Sequence, residues 1–186
     1  MTDTTNTDSG SNLFEELRHA NMDSVRKAVR SGAYRGHTAG IGLGLVQGNV
    51  AILPADYALD FFRFCQRNPK PCPLVGVSDT GEPMLRTLGE DIDIRRDVPL
   101  YNIYLDGKLD RQEPDIDDLW RDDLVAFVLG CSFTFEQALL AEGIRLAHID
   151  DNKVVSMYRT SIETRPAGPF RGPVVVSMRP MSAADS

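Results

Sequence analysis

The sequence has little of what builds disulfide-bonded, metal-bound or membrane-spanning proteins. Its three cysteines, Cys65, Cys72 and Cys131, are odd in number and form no Cys-x-x-Cys pair. They therefore predict neither a disulfide framework nor a zinc site. No apolar run approaches the ~20 residues needed to cross a bilayer. The histidines are isolated and show no metal-ligand spacing. We therefore predict no metal site, no cofactor and no membrane contact.

Clustered positive charge is also missing. Lys and Arg number 20 against 27 Asp and Glu, a net charge of −7, and no basic cluster exceeds two adjacent residues. Binding to nucleic acid without sequence preference needs a basic face that displaces counterions from phosphates, so we predict no nucleic-acid partner. Residues 1–12 have neither the basic start nor the apolar core of a signal peptide. We expect them to form a disordered tail on a cytoplasmic protein.

What is present is enough apolar sequence for one domain. The chain has 186 residues, of which 42% are hydrophobic, and we place the domain at 13–182. Helices and strands alternate in the first half and strands dominate the last quarter, which predicts an α/β fold: a mixed sheet with flanking helices and a smaller α+β portion. Apolar periodicity predicts helices at about 13–20, 22–30, 55–66 and 117–129, and strands at about 45–53, 74–77, 98–105, 108–111, 154–162 and 174–178. The apolar end of the fourth helix also fits a buried strand.

Two patterns suggest ligands only weakly. Glycines alternate along residues 38–44, but Gln47 stands where the last glycine of a dinucleotide fingerprint belongs, and no strand clearly precedes the segment. Five aspartates surround Trp120 and could gather a divalent cation. Such acidic runs are more often solvated helix ends. Neither pattern therefore carries a prediction of function.

The most informative segment is 130–136, Gly-Cys-Ser-Phe-Thr-Phe-Glu, which follows an apolar run and is expected to begin a helix. Unpaired N–H groups at a helix start favour an anion or a thiolate, which makes Cys131, Ser132 and Glu136 candidate catalytic residues. The alternative is structural. Ser132 or Thr134 would then cap the helix, Glu136 would complement its dipole, and Cys131 would be a small buried residue. Both interpretations stay open on these residues alone.

Polar side chains within or next to apolar segments are candidates for substrate binding. Gln47 and Asn49 interrupt an apolar strand two residues apart, so they share one face of it. They bind a ligand, or they satisfy backbone groups of a nearby loop. Lys70 is held between two prolines, where a stiff loop would aim its ammonium group, although an exposed surface lysine fits equally.

Arginines at strand ends form a second candidate group. Arg95 precedes one predicted strand, while Tyr158, Arg159 and Arg179 lie in or beside the last two. A guanidinium offers a fork of donors that matches a carboxylate, so these residues could converge on an acidic substrate. The alternative is a set of structural ion pairs with the surplus acidic residues.

Long, irregular motifs occur along nearly the whole chain. In order they are VQGN at 46–49, ILP at 52–54, DF at 60–61, FC at 64–65, NPKPCP at 68–73, DIR at 93–95, DVP at 97–99, WRDDLVAF at 120–127, GCSF at 130–133, FE at 135–136, MYRT at 157–160 and VVSMRP at 175–180. With these motifs the chain resembles the bacterial family of hydro-lyases also called D-glutamate cyclases, which includes a domain of the mitochondrial D-glutamate cyclase. Members of that family usually continue beyond the last of these motifs, so we expect a C-terminally shortened member.

The resemblance implies an enzyme of amino-acid metabolism that interconverts D-glutamate and 5-oxo-D-proline plus water, or acts on a similar small carboxylate. Such a reaction needs oxyanion donors, a proton carrier and cations for carboxylates. On chemistry alone, Cys131 and Ser132 would stabilise the oxyanion and Glu136 would move the proton. Arg159 and Arg179 would bind carboxylates. The polar groups would be oriented by Gln47, Asn49 and Asn68.

Two other classes of function stay open. One is a cysteine hydrolase of amides or lactams with Cys131 as nucleophile, although no histidine lies near it in sequence to act as base. The other is a non-catalytic ligand-binding or assembly protein. An exposed apolar surface would predict self-association into a homo-oligomer.

Overall fold

The computed structural model describes residues 8–42, 44–151 and 153–185. The chain divides into two compact units, the first made of Met1–Leu43 and Pro83–Arg121 and the second of Gly44–Glu82 and Asp122–Ser186. Within the described ranges, no helix combines the length and apolar character needed to cross a membrane. In chain order the elements are α1 (Asp8–Arg18), α2 (Met22–Arg30), β1 (Gly48–Pro54), α3 (Ala55–Arg67), β2 (Leu74–Val77), β3 (Tyr101–Leu105), β4 (Lys108–Glu113), a 3-10 turn (Asp117–Leu119), β5 (Leu124–Gly130), a second 3-10 turn (Ser132–Phe135), α4 (Glu136–Ala141), α5 (Ala147–Asp150), β6 (Ser156–Glu163) and β7 (Pro173–Met178).

The predicted mixture of helices and sheets is confirmed, and the strand pairs of the three sheets within the described residues are antiparallel. Most helices and strands lie within a few residues of their predicted bounds. At the N-terminus, α1 begins at Asp8, so residues 8–12 of the expected tail are helical. The rest of that tail, residues 1–7, lies outside the described residues.

The predicted helix at 117–129 is wrong, and the alternative of a buried strand is right for its second half. Only Asp117–Leu119 is helical, as one 3-10 turn, and Leu124–Gly130 forms β5. The physical reason is the position of β5, which is the central strand of the order β1-β5-β2. Its first five residues are all buried, so both of its faces must be apolar and no polar helix face can exist.

The core of the second unit forms where α3 packs on this three-stranded sheet. Phe61 and Cys65 of α3 are buried against Val125 and Phe127 of β5. The rings of Phe61 and Phe127 meet edge to face with centroids 4.9 Å apart, an arrangement that aromatic quadrupoles favour. A second ring, Phe170, contacts Phe61 at the same centroid distance from the loop between β6 and β7.

Asn68 fastens the β6–β7 hairpin to the end of α3. Its Nδ2 donates to the carbonyl oxygens of Phe64 and Arg165, each at 2.8 Å, and its Oδ1 accepts from the Arg165 N–H at 2.8 Å. The neighbouring Arg67 donates to the Pro166 carbonyl. Because Asn68 is buried, these bonds satisfy its amide and fix the hairpin on the second unit.

The first unit has its own core and its own ion pairs. Leu17 of α1 packs with Val25 and Val29 of α2, together with Tyr34 and Ile41. Two arginines of α2, at positions 26 and 30, pair with aspartates at 91 and 97, which ties this helix to the segment after Pro83. The hairpin of β3 and β4 turns at residues 106–107, as the Asp-Gly pair predicts.

Two opposed glycines at the end of the β1–β5 ladder give a direct test of this packing. A Cβ added to Gly48 would lie 2.4 Å from Val128 Cγ1, whereas one added to its partner Gly130 would be at least 3.4 Å from every neighbour. We expect Gly48→Ala to lower the free energy of unfolding by about 1–3 kcal/mol through overpacking. Urea titration of both variants measures this. Equal stability of Gly48→Ala and the control Gly130→Ala would contradict the register.

Candidate active site

A buried carboxylate, that of Glu136, is the centre of a polar cluster in the second unit. Glu136 is the first residue of α4 and only 1% exposed. Its Oε1 accepts from Arg179 Nε at 2.8 Å and from Arg179 Nη2 at 2.5 Å, and it lies 3.0 Å from His148 Nε2. The side chains of Arg179 and His148 are 6% and 9% exposed. A charged group this buried requires such partners, because burial without them is very unfavourable.

Arg179 also binds two hydroxyl groups. Its Nη1 donates to Ser177 Oγ at 2.9 Å and its Nη2 donates to Ser132 Oγ at 3.0 Å. The two hydroxyl oxygens lie 3.2 Å apart. On the other side, the guanidinium carbon lies 4.8 Å from the centroid of the Phe135 ring, a cation–π contact. One guanidinium therefore orients a carboxylate and two hydroxyls in a single part-buried site.

The chain path after β5 explains why these groups meet. The Cys131 N–H donates to the Gln47 carbonyl at 2.9 Å, and Thr134 Oγ1 accepts from the Gln47 N–H at 3.0 Å. These bonds extend the pairing of β1 with β5 by one residue past Gly130. The chain then enters the second 3-10 turn, Ser132–Phe135. Ser132 and Glu136 then lie four residues apart, so they share a face of the helical segment.

Cys131 stands before the turn in extended backbone, with φ −110° and ψ 145°, and its side chain is partly exposed. Its N–H is engaged by Gln47, so it is not an open donor in this structure. Among the described residues, no hydrogen bond to its sulfur is found. The other two thiols are poor nucleophiles at neutral pH, because burial raises the pKa of Cys65 to about 11 and also raises that of Cys72.

Arg159 lies on the same face of the β6–β7 hairpin as Ser177. Arg159 pairs with Val175 and Met157 pairs with Ser177, and residues opposed in an antiparallel ladder point to the same side. Arg159 and Ser177 are therefore diagonal neighbours, about 7–8 Å apart. Arg159 is exposed, and Tyr158 belongs to the opposite face and is also exposed.

The remaining candidates of the second unit lie elsewhere. Asn49 is an exposed residue of β1, and Gln47 is the part-buried residue one position before that strand. Lys70 is exposed in the proline-containing loop after α3. The amide of Asn68 is taken up by its bonds to the β6–β7 loop. Of the site residues predicted from the sequence, the Glu136 cluster therefore contains Ser132, Glu136 and Arg179.

Arg95 belongs to the first unit and has local partners there. Its Nε and Nη2 donate to the two carboxylate oxygens of Asp93 at 2.9 and 2.7 Å, a bidentate pair. Its neighbour Arg96 pairs with Asp117, one of the aspartates around Trp120. A cavity of about 260 Å³ in this unit is lined by Arg30, Met84, Asp91, Asp93 and Arg96. The charged side chains that line it are held by ion pairs: Arg30 with Asp91, Asp93 with Arg95, and Arg96 with Asp117.

Sequence reasoning missed His148 and Ser177. The histidine is twelve residues from Glu136 and belongs to the four-residue helix α5, so no spacing connects the two. Ser177 was visible only as a polar residue in an apolar strand, which was the one available signal. In the part of the chain that the structure describes, no group of three or more His, Cys, Asp or Glu side chains is arranged for a metal ion.

Comparisons with known proteins find similarity to one family. Residues 125–186, which include every member of the Glu136 cluster, match the family model described as D-glutamate cyclase. The chain is 61% identical over 166 residues to a protein of Ruegeria pomeroyi, 62% over 167 to one of Dinoroseobacter shibae and 59% over 167 to one of Verminephrobacter eiseniae. Each of the three is named "putative hydro-lyase".

These matches cover 89–90% of this chain and 56–61% of the relatives. These findings support the assignment of the chain to the hydro-lyase and D-glutamate cyclase family, which the resemblance of its motifs predicted. It spans somewhat more than half the length of the curated relatives it matches.

The Asp93–Arg95 pair predicts a specific response to acid. Hydrogen bonding to Arg95 holds the pKa of Asp93 below its usual range, so the pair stabilises the fold above the unfolded-state pKa of about 3.9. That stabilisation is lost as the pH falls through the lower pKa of the folded state. We expect the wild type to lose more unfolding free energy than Asp93→Asn between pH 7 and about pH 3.

Urea titrations of both proteins at the two pH values measure this difference. The exposed Asp79 supplies the control variant Asp79→Asn, which should follow the wild type. If Asp93→Asn loses as much stability in acid as the wild type does, the pair does not hold in solution.

Proposed function

We propose that this chain carries the catalytic cluster of a hydro-lyase that interconverts D-glutamate and 5-oxo-D-proline plus water, or acts on a similar small carboxylate. The observation that carries the proposal is the buried Glu136–Arg179 pair with its serine hydroxyls, inside the segment that matches the D-glutamate cyclase model. Buried titratable groups with specific charged partners are candidates for functional sites. The names of the relatives support the same class of reaction.

The chemistry assigns work to each member of the cluster. In cyclisation the amine nitrogen bonds to the side-chain carboxyl carbon, and a C–O bond of that carboxyl breaks. The ammonium group gives up two protons and the leaving oxygen takes up both, so water departs. Glu136 accepts a proton from the nitrogen and delivers it to the oxygen, a role that general acid–base catalysis assigns to a positioned carboxylate.

Developing negative charge on the tetrahedral intermediate needs hydrogen-bond donors. The hydroxyls of Ser132 and Ser177 lie beside the Arg179 guanidinium, which orients them and adds positive charge. Such preorganised donors lower the barrier because they need no rearrangement when charge develops. Cys131, adjacent to Ser132, is proposed to line the same position.

Arg159 is proposed to bind the α-carboxylate of the substrate. It is exposed and shares the hairpin face of Ser177, so a ligand carboxylate can reach its guanidinium without displacing an internal partner. The guanidinium of Arg179 already holds Glu136, Ser132 and Ser177, so its binding of the second carboxylate stays a prediction. Gln47, Asn49, Asn68, Lys70, Arg95 and Tyr158 stay predictions as residues that bind or orient the substrate.

A second candidate, an assembly role, is favoured by one observation. The β6–β7 hairpin exposes large apolar side chains, with Met157 at 65%, Ile162 at 64% and Val175 at 54%. Exposed apolar patches commonly mark interfaces with other chains. This candidate predicts a homo-oligomer without turnover.

The test of the proposed activity is direct assay of the purified chain. D-glutamate and 5-oxo-D-proline are each incubated with it, and the other compound is measured by chiral chromatography and mass spectrometry. We expect conversion, a loss of about 10²–10⁴-fold in Glu136→Gln, and a clear loss in Ser132→Ala. The matched control is Glu142→Gln, which alters an exposed glutamate just after the same helix.

Each outcome separates the candidates. No conversion of either compound by the wild type would overturn the proposed activity, and light scattering of that sample would then test the assembly role. Full activity of Glu136→Gln would remove Glu136 from proton transfer. Activity that is abolished only by Cys131→Ser, with an acyl adduct on the wild-type thiol, would instead support the cysteine hydrolase.

A further inference from the structure

His148 is the partner of Glu136 that comes from outside both the 3-10 turn and the β6–β7 hairpin. We propose that His148 is a positioning residue: with Arg179 it holds Oε1 of Glu136 and thereby aims Oε2 at the substrate. The inference rests on the proposed function, since it assigns His148 a part in the same reaction. It concerns a residue whose role no sequence pattern indicates.

The contact fixes the hydrogen-bonding state of the imidazole. An ionised carboxylate has only acceptor atoms, so the 3.0 Å contact requires a hydrogen on His148 Nε2. Oε1 then receives three donors, two from Arg179 and one from His148. Oε2 takes no part in these three bonds. The proposal therefore assigns the proton exchange with the substrate to this oxygen.

The position of the ring is set by the fold of its own segment. Leu146, two residues before His148, is 1% exposed and anchors α5. The His148 carbonyl accepts from the Lys153 N–H at 2.7 Å, which closes the turn after the helix. Asp150, two residues further along, is held by the Arg145 guanidinium at 2.8 Å. The short helix therefore presents the ring to Glu136 from a closed, anchored turn.

Two donors from different directions restrict a carboxylate more than one does. Arg179 alone contacts Oε1 through neighbouring nitrogens of one planar group, which leaves the carboxylate free to swing about that oxygen. His148 approaches from α5, on a separate segment of the chain, and removes this freedom. A misplacement of a catalytic group by about 1 Å can cost about 10²-fold in rate.

The kinetic test compares three histidine variants in the assay of both substrates. His148→Leu removes the donor, and we expect kcat to fall by about 10²-fold with KM unchanged, since substrate binding does not use the ring. His148→Gln places an amide N–H near the position of Nε2 and should restore most of the loss. The matched control is His19→Leu at an exposed histidine, which should keep the wild-type kcat.

A spectroscopic test reads the contact independently of turnover. Long-range ¹H–¹⁵N correlation of the His148 ring should show the Nε2–H form in the wild type and a mixture of both forms in Glu136→Leu. A ring in the Nδ1–H form, or a His148→Leu variant as fast as His19→Leu, would overturn the inference. Absence of turnover in the wild type would overturn the proposed function, whereas the ring form still reports on the His148–Glu136 contact.

Discussion

The buried ion pair between Glu136 and Arg179 is the interaction on which the second unit's polar organisation depends. It joins the first residue of α4 to the residue that follows β7, and both side chains are almost fully removed from water. Two charges in such a place must satisfy each other, because removing one partner of a buried pair typically costs about 3–5 kcal/mol. An apolar pair of similar volume would often serve stability equally well. Because stability alone does not call for these charges, we propose a chemical role for them.

The pair also organises its surroundings. The Arg179 guanidinium orients the hydroxyls of Ser132 and Ser177, and the Phe135 ring covers one of its faces. The Glu136 carboxylate can only accept, so it requires a hydrogen on Nε2 of His148. These groups come from the 3-10 turn, α4, α5 and the end of β7, so a single ion pair connects four short segments. Such segments have little intrinsic stability, and packing against a shared polar centre fixes their geometry.

Much of this could be predicted from the sequence, and the misses have physical causes. Apolar periodicity locates most elements but places the β5 segment in a helix, because a continuous apolar run does not distinguish a central strand from a buried helix. Glu136, Ser132 and Arg179 were predicted site residues that the fold brings together. His148 could not be found, since the contact depends on how α5 packs and on no local spacing. Arg95 fits the pattern of a carboxylate-binding residue, yet it forms a bidentate pair with Asp93, two residues away. Asn68 fits the pattern of a ligand-orienting residue, yet its amide binds the loop between β6 and β7.

The most direct measurement is a comparison of stability and turnover in Glu136→Leu, Arg179→Leu and the double variant. Each single variant leaves a buried charge without its partner and should lose about 3–5 kcal/mol of unfolding free energy. The double variant replaces the pair by apolar side chains, so we predict that it recovers most of that stability while its conversion of D-glutamate and 5-oxo-D-proline stays abolished. A double variant that folds stably and retains turnover would show that the reaction does not need the pair, and it would contradict the account.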